Sequence, residues 1–293
     1  MNNLLLDIGG TNIKSAVFLE SKDDIIDLKK VDTFGNKDKT KENFLRALDN
    51  LINYYINNYK EINFDYIKIS IPGPFINKKE GILGKLKNLP LYKFNIKEYF
   101  EKKYKINVKI ENDAKCFILG EEYLLSKINN KNIKNKNSGK KGKNKYRNLV
   151  GITLGTGVGI GIIIDNKLYE GRENSGELSN LSYKDSILED YVSKRGLLKI
   201  CENFNLNIKE PKEISNEKYR KIWEIFSEDL AYLLEIIILT LDPEIIILGG
   251  GISKSFKFFK KSLLNNVKKK IDFYLPEIKK CSKNSNLYGV NLI

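Results

Sequence analysis

The chain has 293 residues, 41% of them hydrophobic and 30% charged, which is the composition of a globular protein long enough for two domains. Its net charge of +14 is concentrated in residues 127–147, which carry nine Lys and Arg residues and no acid and leave about +5 for the rest. This distribution argues against nucleic acid as a partner. It predicts a flexible basic surface loop at 127–147, with contact to a polyanion as the alternative.

No segment predicts export or membrane insertion. The N-terminus leads straight into a strand, so we expect no signal peptide, and the apolar run around Ile236–Leu241 is too short to span a bilayer. Cys116, Cys201 and Cys281 are far apart and include no C-x-x-C pair, which is typical of reduced cytoplasmic thiols. Because the chain has no histidine, a mechanism with an imidazole base is excluded.

A glycine turn between two apolar strands opens the chain. Leu4–Ile8 reads as a buried strand that carries Asp7 near its end, and Gly9 and Gly10 lead into a second strand. Glycine lacks a Cβ, so a phosphate can approach the backbone N–H groups closely. The next predicted elements are a strand pair in Asp24–Phe34, an amphipathic helix over Lys41–Lys60, a strand over Phe64–Ile71, a loop over Leu83–Leu91, a helix over Ile96–Lys103 and a strand over Ile106–Ile110.

The segment ENDAK, Glu111–Lys115, stands between that last strand and an apolar helix. Asn112 or Asp113 at such a junction is first of all a helix N-cap. The same place is also the carboxyl end of a strand, where α/β proteins bind ligands. The residues alone leave both interpretations of Asp113 open.

A second glycine turn lies in GITLGTGVGIGIIID, Gly151–Asp165, where glycines alternate between two apolar runs. A tight hairpin in a β-rich core is the alternative to phosphate binding. Neither turn fits G-x-G-x-x-G and no G-x-x-x-x-G-K-[ST] occurs, so we expect neither a Rossmann site nor a P-loop. Two such turns about 145 residues apart suggest two similar lobes closing on one nucleotide.

The later elements are predicted from the same patterns. They are a closing strand at Lys167–Tyr169, a polar loop over Arg172–Asn180, one helix over Ser186–Ile200, one long helix over Glu213–Leu241 stopped by Asp242-Pro243, a buried strand over Glu244–Leu248 and, after Gly249–Gly251, another helix through Ser253.

Six segments together resemble one known family. DIGGTNIK, SIPGP, ENDA, GITLGTGVGIGIIID, SGEL and DPEIIILGGGIS occur in the order and spacing of the ROK-type sugar kinases, members of the hexokinase–actin ATPase superfamily. The resemblance covers Leu4 to about Ser253. It implies an α/β fold of two RNase H-like (actin-like ATPase) lobes with a central interlobe cleft, ATP with Mg²⁺, and a homodimer. The implied lobes are residues 1–112, rejoined by about 287–293, and residues 113–286.

The resemblance also implies roles for single residues. Asp7 resembles the carboxylate that holds Mg²⁺ through water, and Asp113 resembles the catalytic base. The residues implied to bind the nucleotide are Asp7, Gly9, Gly10, Thr11, Asn12, Lys14, Gly155, Thr156, Gly157, Gly249 and Gly250. Those implied to bind the sugar are Gly73, Asn88, Asn112, Asp113, Glu177, Asn180 and Glu189. Carboxylates and amides suit this task because each buried hydroxyl needs a hydrogen-bond partner.

The chain departs from the family pattern in three places. Asn180 stands where many members have the histidine of a zinc site, and no cysteine follows before Cys201, so we expect no zinc. Only six residues precede Asp7, so we expect no DNA-binding domain of the kind that repressor members carry. The chain ends soon after Val290, where the family usually continues its final helix, and how the C-terminus closes against the first lobe stays open.

The function implied is ATP-dependent phosphorylation of the 6-hydroxyl of an N-acetylhexosamine or hexose. We favour N-acetyl-D-mannosamine, because compact members without zinc resemble N-acetylmannosamine kinases at least as well as glucokinases. Glucokinase is the alternative. Alternatives of other classes are a non-catalytic sugar-sensing protein, an actin-like filament protein and an ATPase acting on an acyl or acetate substrate. The ENDA and SGEL segments favour the sugar kinase.

Overall fold

The framework consists of two five-stranded sheets. The computed structural model describes residues 1–86, 88–134, 145–172 and 175–293. The chain divides into two compact units, of which unit 1 comprises Met1–Leu124 and Asn284–Ile293, and unit 2 comprises Leu125–Lys283. The domain limits inferred from the sequence, at 112 and about 287, stay predictions.

Unit 1 is built around a central buried strand. Its strands are β1 (Asn3–Ile8), β2 (Asn12–Leu19), β3 (Asp24–Asp32), β4 (Tyr66–Ile71), β5 (Phe75–Asn77), β6 (Ile82–Leu83) and β7 (Asn107–Asn112). The large sheet has the order β3-β2-β1-β4-β7, and β5 pairs with β6 alone. β1 is antiparallel to β2 and parallel to β4, and all six of its residues are buried.

The helices of unit 1 are α1 (Lys41–Asn58), α2 (Ile96–Tyr104), the first part of α3 (Asp113–Lys134) and α8 (Ser285–Leu292). The helix predicted at 41–60 is α1, and its apolar stripe from Phe44 to Tyr55 is buried in the core. α1 begins where the Thr40 hydroxyl accepts the N–H of Asn43.

Unit 2 repeats the topology of unit 1. Its strands are β8 (Leu149–Leu154), β9 (Val158–Ile164), β10 (Lys167–Leu168), β11 (Ser182–Tyr183), β12 (Ser186–Ile187), β13 (Ile245–Gly249) and β14 (Glu277–Lys280). The large sheet has the order β10-β9-β8-β13-β14, with three antiparallel strands followed by two parallel ones, as in unit 1. β11 and β12 form a separate hairpin.

The helices of unit 2 are α4 (Glu189–Val192), α5 (Lys194–Asn203), α6 (Arg220–Leu241) and α7 (Phe256–Lys270), with shorter 3₁₀ helices between them. α6 and α7 pack through aromatic side chains. The Trp223 ring stacks on Phe259 at 5.3 Å, and Trp223 Nε1 donates to the Ile214 carbonyl at 2.9 Å. α6 ends at Leu241, and the next residue, Asp242, has a left-handed conformation directly before Pro243. None of the described helices is long and apolar enough to cross a membrane.

Two element predictions in the first part of the chain are wrong. Asp24–Phe34 contains one strand rather than a pair, because Asp27, with a φ of 49°, forms a bulge opposite β2 instead of a turn. The basic loop expected at 127–147 is helical up to Lys134, where α3 ends. Residues 135–144 of that loop lie outside the described residues.

Two long helices predicted in unit 2 are shorter. The segment 186–200 begins as β12 and continues as α4 and α5, which are separated at Ser193 by an extended backbone with ψ of −178°. The segment 213–241 begins with two 3₁₀ helices, and α6 starts only at Arg220. Apolar spacing continued through both breaks, so periodicity alone did not reveal them.

The C-terminal helix α8 packs against α3 and the first sheet. A Cβ at Gly289 would lie 1.7 Å from the Cys116 carbonyl oxygen, and one at Gly120 would lie 1.7 Å from the Ser285 carbonyl oxygen. The Tyr288 ring stacks on Tyr123 at 5.7 Å. Two glycines thus allow a close helix–helix contact, which answers how the C-terminus closes against unit 1.

Candidate active site

Asp7 is a buried carboxylate of unit 1. It lies next to the end of β1 and is 8% exposed. Its Oδ2 accepts from Lys14 Nζ at 3.3 Å, and its Oδ1 accepts from Ser70 Oγ at 3.3 Å and Asn286 Nδ2 at 3.4 Å. Donors from three elements therefore hold one carboxylate, as a charge with so little access to water requires.

Asn112 and Asp113 stand at the junction of β7 and α3. Asn112 Oδ1 accepts the N–H groups of Ala114 at 2.9 Å and Lys115 at 3.3 Å, so Asn112 caps the helix. Asp113 is the first helical residue, and its Oδ1 also accepts the N–H of Ala114 at 2.9 Å. A Cβ at Gly73 would lie 3.3 Å from Asn112 Nδ2, so these two predicted sugar residues are neighbours. The capping role that the sequence left open falls mainly to Asn112.

The carboxyl ends of β1, β4 and β7 lie at one edge of the first sheet, because the three strands are parallel neighbours. Asp7 pairs with Ser70, and Ser70 pairs with Glu111. One strand therefore separates Asp7 from Glu111, about 10 Å between their backbones at the usual strand spacing. Asn112 and Asp113 follow Glu111 directly, so the predicted magnesium carboxylate and the predicted base share this edge.

The first glycine turn is closely packed. The Gly9 N–H donates to the Asn12 carbonyl at 3.0 Å. A Cβ at Gly10 would lie 2.8 Å from the Cβ of Asn88, so only glycine allows Asn88 this close to the turn. Thr11, at the tip, is exposed. The structure thus brings a predicted sugar residue against the predicted nucleotide turn.

The second glycine turn, Gly155 to Gly157, joins β8 to β9. The Gly155 N–H donates to the Gly157 carbonyl at 3.0 Å, and the Gly155 carbonyl accepts the N–H of Lys194 at 2.8 Å. A Cβ at Gly157 would lie 2.9 Å from Glu189 Oε2. Thr156 is exposed between the two glycines. The turn predicted between two buried strands therefore lies directly against a predicted sugar residue.

Glu189 is the first residue of α4 and is 8% exposed. Its Oε2 accepts the N–H of Val158 at 3.1 Å, and its Oε1 accepts from Arg195 Nη2 at 2.8 Å. Arg195 also pairs with Asp190 at 2.9 Å. Donors on both oxygens therefore hold the carboxylate in one orientation.

Glu177 and Asn180 are the first and last residues of a 3₁₀ helix. Asn180 Nδ2 donates to Glu177 Oε2 at 2.7 Å, and both side chains are exposed. Between them, Ser179 is 2% exposed and donates its hydroxyl to the Val158 carbonyl at 3.1 Å. Two predicted sugar residues thus lie together, on a helix that is bonded to β9.

Gly249 and Gly250 lie beside the end of β8. Gly249 is paired with Thr153 of β8. Gly250 has a φ of 82°, and a Cβ there would lie 2.3 Å from the Leu154 carbonyl oxygen, so the position requires glycine. Because Leu154 leads into Gly155, the predicted adenosine glycines lie beside the second glycine turn, Gly155 to Gly157, which is the predicted phosphate turn.

Asp7 fits the magnesium role. Among the described residues, no group of three or more His, Cys, Asp or Glu side chains could hold a metal ion. Mg²⁺ does not need such a group, because it is commonly held by one or two carboxylates and completes its shell with water and substrate phosphates. One carboxylate beside a glycine turn meets that requirement.

The thiol of Cys116 lies beneath this edge and is fully buried. Burial raises its pKa well above the usual value, and the carboxylates of Glu111 and Asp7 raise the pKa further. The thiol therefore stays protonated and is no candidate nucleophile.

Ser70, Asn286, Ser179 and Arg195 carry no sequence signal for the contacts they make. Ser70 and Asn286 lie 63 and 279 residues from Asp7, their common acceptor. Ser179 and Arg195 lie closer to their partners, but no spacing rule connects them. The one indirect signal is that a buried carboxylate such as Asp7 or Glu189 needs hydrogen-bond donors.

The sheets, glycine turns and strand-end carboxylates agree with one family over most of the chain. A model of the ROK family matches residues 4–286. This chain belongs to the ROK family. The resemblance drawn from the six sequence segments is therefore confirmed.

Relatives of this ROK protein include named sugar kinases. It is 28% identical over 290 residues to the N-acetyl-D-glucosamine kinase of Histophilus somni (strain 129Pt), covering 88% of this chain and 86% of that one. It is 26% identical over 307 residues to the glucokinase of Halalkalibacterium halodurans, covering 93% and 86%.

Solved structures show the same fold. A ROK family glucokinase from Streptomyces griseus in complex with glucose and AMPPNP has a TM-score of 0.77 at 20% identity, covering 99% of this chain and 98% of that chain. The ROK hexokinase from Thermus thermophilus has a TM-score of 0.75 at 20% identity, covering 100% and 97%. The predicted α/β fold class, with RNase H-like (actin-like ATPase) lobes, is confirmed.

Proposed function

We propose that this ROK protein is an ATP-dependent sugar kinase that phosphorylates the 6-hydroxyl of an N-acetylhexosamine or hexose. Its relatives of similar length, an N-acetyl-D-glucosamine kinase and a glucokinase, support the sugar kinase activity. The observation that carries the proposal is the edge of the first sheet. There Asp7 and Asp113 stand at the ends of parallel strands with one strand between them.

In the proposed reaction, unit 1 supplies the groups that act on the transferred phosphoryl and on its acceptor. Phosphoryl transfer depends mainly on positioning and charge neutralisation, and bound Mg²⁺ supplies part of that neutralisation. Asp7 is the residue that would hold the ion. The Asp113 carboxylate accepts a hydrogen bond from the sugar hydroxyl and orients its oxygen. It takes the hydroxyl proton as the new O–P bond forms and the bond between the γ-phosphorus and the bridging oxygen of ATP breaks, so that ADP leaves.

Nucleotide binding is assigned to the two glycine turns and the glycine pair after β13. The residues are Gly9, Gly10, Thr11, Asn12, Lys14, Gly155, Thr156, Gly157, Gly249 and Gly250. Lys14 Nζ lies 3.3 Å from Asp7 Oδ2, so a cation that can pair with a phosphate stands beside the predicted magnesium carboxylate. Close packing at Gly10, Gly157 and Gly250 supports turns that must stay narrow.

Sugar binding is assigned to residues with amide, carboxylate or backbone groups. They are Gly73, Asn88, Asn112, Asp113, Glu177, Asn180 and Glu189. Their grouping supports the assignment, since Gly73 contacts Asn112 and Asn180 contacts Glu177. Such acceptors distinguish sugars by the positions of their hydroxyl groups, because a buried hydroxyl without a hydrogen-bond partner weakens binding.

The first candidate substrate is N-acetyl-D-mannosamine, and D-glucose is the alternative. The preference rests on the missing zinc ligands, including Asn180 in place of a histidine. From the family resemblance we also infer a homodimer that works in the cytoplasm, with no nucleic acid partner.

The proposal is tested by ADP release with ATP and Mg²⁺ over a panel of N-acetyl-D-mannosamine, N-acetyl-D-glucosamine, D-glucose and D-mannose. We expect turnover with at least one sugar, and phosphate at O6 by NMR of the product. Turnover on glucose and on no N-acetyl sugar would overturn the substrate preference. Sugar binding without turnover on any member of the panel would instead support the sugar-sensing alternative and contradict the kinase.

A further inference from the structure

The peptide groups of Val158 join two parts of unit 2 that have separate proposed tasks. Val158 is the first residue of β9 and follows Gly157 of the phosphate turn. Its N–H donates to Glu189 Oε2 at 3.1 Å, and its carbonyl accepts the Ser179 hydroxyl at 3.1 Å. Val158 is paired with Leu154 of β8, and side chains bind both of its backbone polar groups.

Both of these side chains come from segments assigned to the sugar. Glu189 is itself a proposed sugar residue, and Ser179 lies on the 3₁₀ helix between Glu177 and Asn180. Ser179 and Glu189 are almost completely buried. Water is therefore poorly placed to replace either hydrogen bond, and losing one leaves a buried polar group unpaired.

The phosphate turn has little freedom to move independently of these contacts. On one side, the Gly155 carbonyl accepts the N–H of Lys194 at 2.8 Å. On the other side, Gly157 has no room for a Cβ because Glu189 Oε2 would lie 2.9 Å from it. A shift of Glu189 would therefore disturb its hydrogen bond to Val158, the residue that follows the turn.

We propose that sugar binding and nucleotide binding are coupled through Val158, and that Ser179 is a positioning residue for this coupling. The inference rests on the proposed kinase function. A sugar that binds Glu177, Asn180 and Glu189 fixes the Ser179 hydroxyl and the Glu189 carboxylate, which bind Val158. The backbone of the turn is then already ordered when the phosphates bind. Coupling between sites is reciprocal, so the nucleotide must tighten sugar binding by the same factor.

The decisive experiment measures AMPPNP–Mg²⁺ affinity by calorimetry, with and without a saturating amount of the sugar that is turned over fastest in the panel. For the wild type we expect the sugar to tighten AMPPNP binding about 5-fold or more, the lower range of typical couplings. Ser179→Ala should reduce that factor by about 2- to 10-fold, as the loss of one hydrogen bond would.

Ser186→Ala is the matched control. Ser186 lies on the neighbouring hairpin, is exposed, and bonds to Asp190 rather than to β9. It should keep the wild-type coupling factor. A thermal melt of both variants separates a loss of coupling from a general loss of stability, because a purely structural role for Ser179 would lower the melting temperature and leave the coupling factor unchanged.

A second measurement needs no variant. Hydrogen–deuterium exchange of the wild type, with sugar and without nucleotide, should slow exchange in peptides that contain Gly155–Val158. An unchanged coupling factor in Ser179→Ala would overturn the inference, and so would an absence of protection of this turn by sugar. Neither result would contradict the kinase proposal if a sugar of the panel is turned over. If no sugar is turned over, the proposed function fails and the coupling falls with it.

Discussion

Glu189 illustrates how one side chain takes on more than its sequence motif indicates. The family resemblance assigns it to the sugar alone. In the structure it also accepts the N–H of Val158 and is paired with Arg195. Asn112 behaves similarly, because its carbonyl oxygen caps α3 while its amide lies against Gly73. Site residues in this protein are therefore part of the local framework.

We expect Asp113→Asn to lower kcat by about 10²- to 10⁴-fold, the usual contribution of a general base, because an amide cannot take the hydroxyl proton. KM for the sugar should change only a few-fold, since the amide keeps the size and one acceptor of the carboxylate. ADP release measures both. The control is Asp165→Asn, which alters an exposed carboxylate paired with Arg147. Wild-type turnover by Asp113→Asn would show that the base is assigned wrongly.

At the scale of the element, α8 shows how a short helix becomes part of unit 1. The helix follows Lys283 and returns the chain to the first sheet, where Leu287 and Val290 are buried with Leu5 and Cys116. It also carries Asn286, a donor to Asp7. The C-terminal helix therefore contributes to both the packing and the candidate site of unit 1.

Gly289→Ala tests the contact between α8 and α3. Alanine is normally the better helix residue by about 0.5–1 kcal/mol. Here its Cβ would lie 1.7 Å from a backbone carbonyl oxygen, so α8 must move, and we expect a loss of about 1–3 kcal/mol in unfolding free energy. Urea denaturation measures it. Gly251→Ala is the control, since open space surrounds that glycine; equal stability of both variants would contradict the packing.

Lys68 of β4 is a buried amine that contacts α8. It is 6% exposed, and its Nζ donates to the Asn291 carbonyl at 2.6 Å. Burial, with a smaller effect of Lys109, lowers the pKa of Lys68 to about 8 from 10.5. Between these values the unfolded chain binds more protons than the folded one, so the free energy of unfolding contributed by Lys68 rises with pH.

We therefore expect wild type to gain stability relative to Lys68→Met between pH 7.5 and pH 10, by about 3 kcal/mol at most. Urea denaturation of both proteins at the two pH values gives this difference. In the comparison, the contributions of groups that titrate equally in both proteins cancel. A difference that stays constant, or changes in favour of Lys68→Met, would show that Lys68 is not desolvated in the folded protein.

On the scale of the whole molecule, the two units share one strand order although their sequences show no repeat beyond the glycine turns. Each sheet places its glycine turn after its first strand, and each uses the carboxyl ends of its parallel strands for polar or glycine residues. The same topology thus supplies an edge with carboxylates in unit 1 and the glycine turn that is predicted to bind phosphates in unit 2.

No zinc should be needed for the fold or for activity. The chain lacks histidine, and Cys116, Cys201 and Cys281 are not in disulfides and lie at separate places. We expect elemental analysis of the purified protein to find far less than one zinc per chain, and 1,10-phenanthroline to leave the melting temperature unchanged. EDTA should stop turnover, and Mg²⁺ alone should restore it. Stoichiometric zinc, or unfolding by the chelator, would contradict this expectation.

Much of the fold follows from local patterns in the sequence. Buried strands such as Ile245–Gly249, the helix after Thr40 and the stop at Asp242-Pro243 are recognisable because periodicity, caps and breakers act over a few residues. Such patterns do not predict the helix breaks at Ser193 and before Arg220, since the apolar spacing continues across them.

The motif residues of the candidate site could be predicted in the same way, because glycine turns and strand-end carboxylates are short segments. The partners of those residues were not. Ser70 and Asn286 meet at Asp7 from positions 63 and 279 residues away, and Ser179 and Glu189 meet at Val158. Hydrogen bonds between distant segments leave no periodic trace in a single chain, so these contacts became visible only when the folded backbone brought the groups within bonding distance.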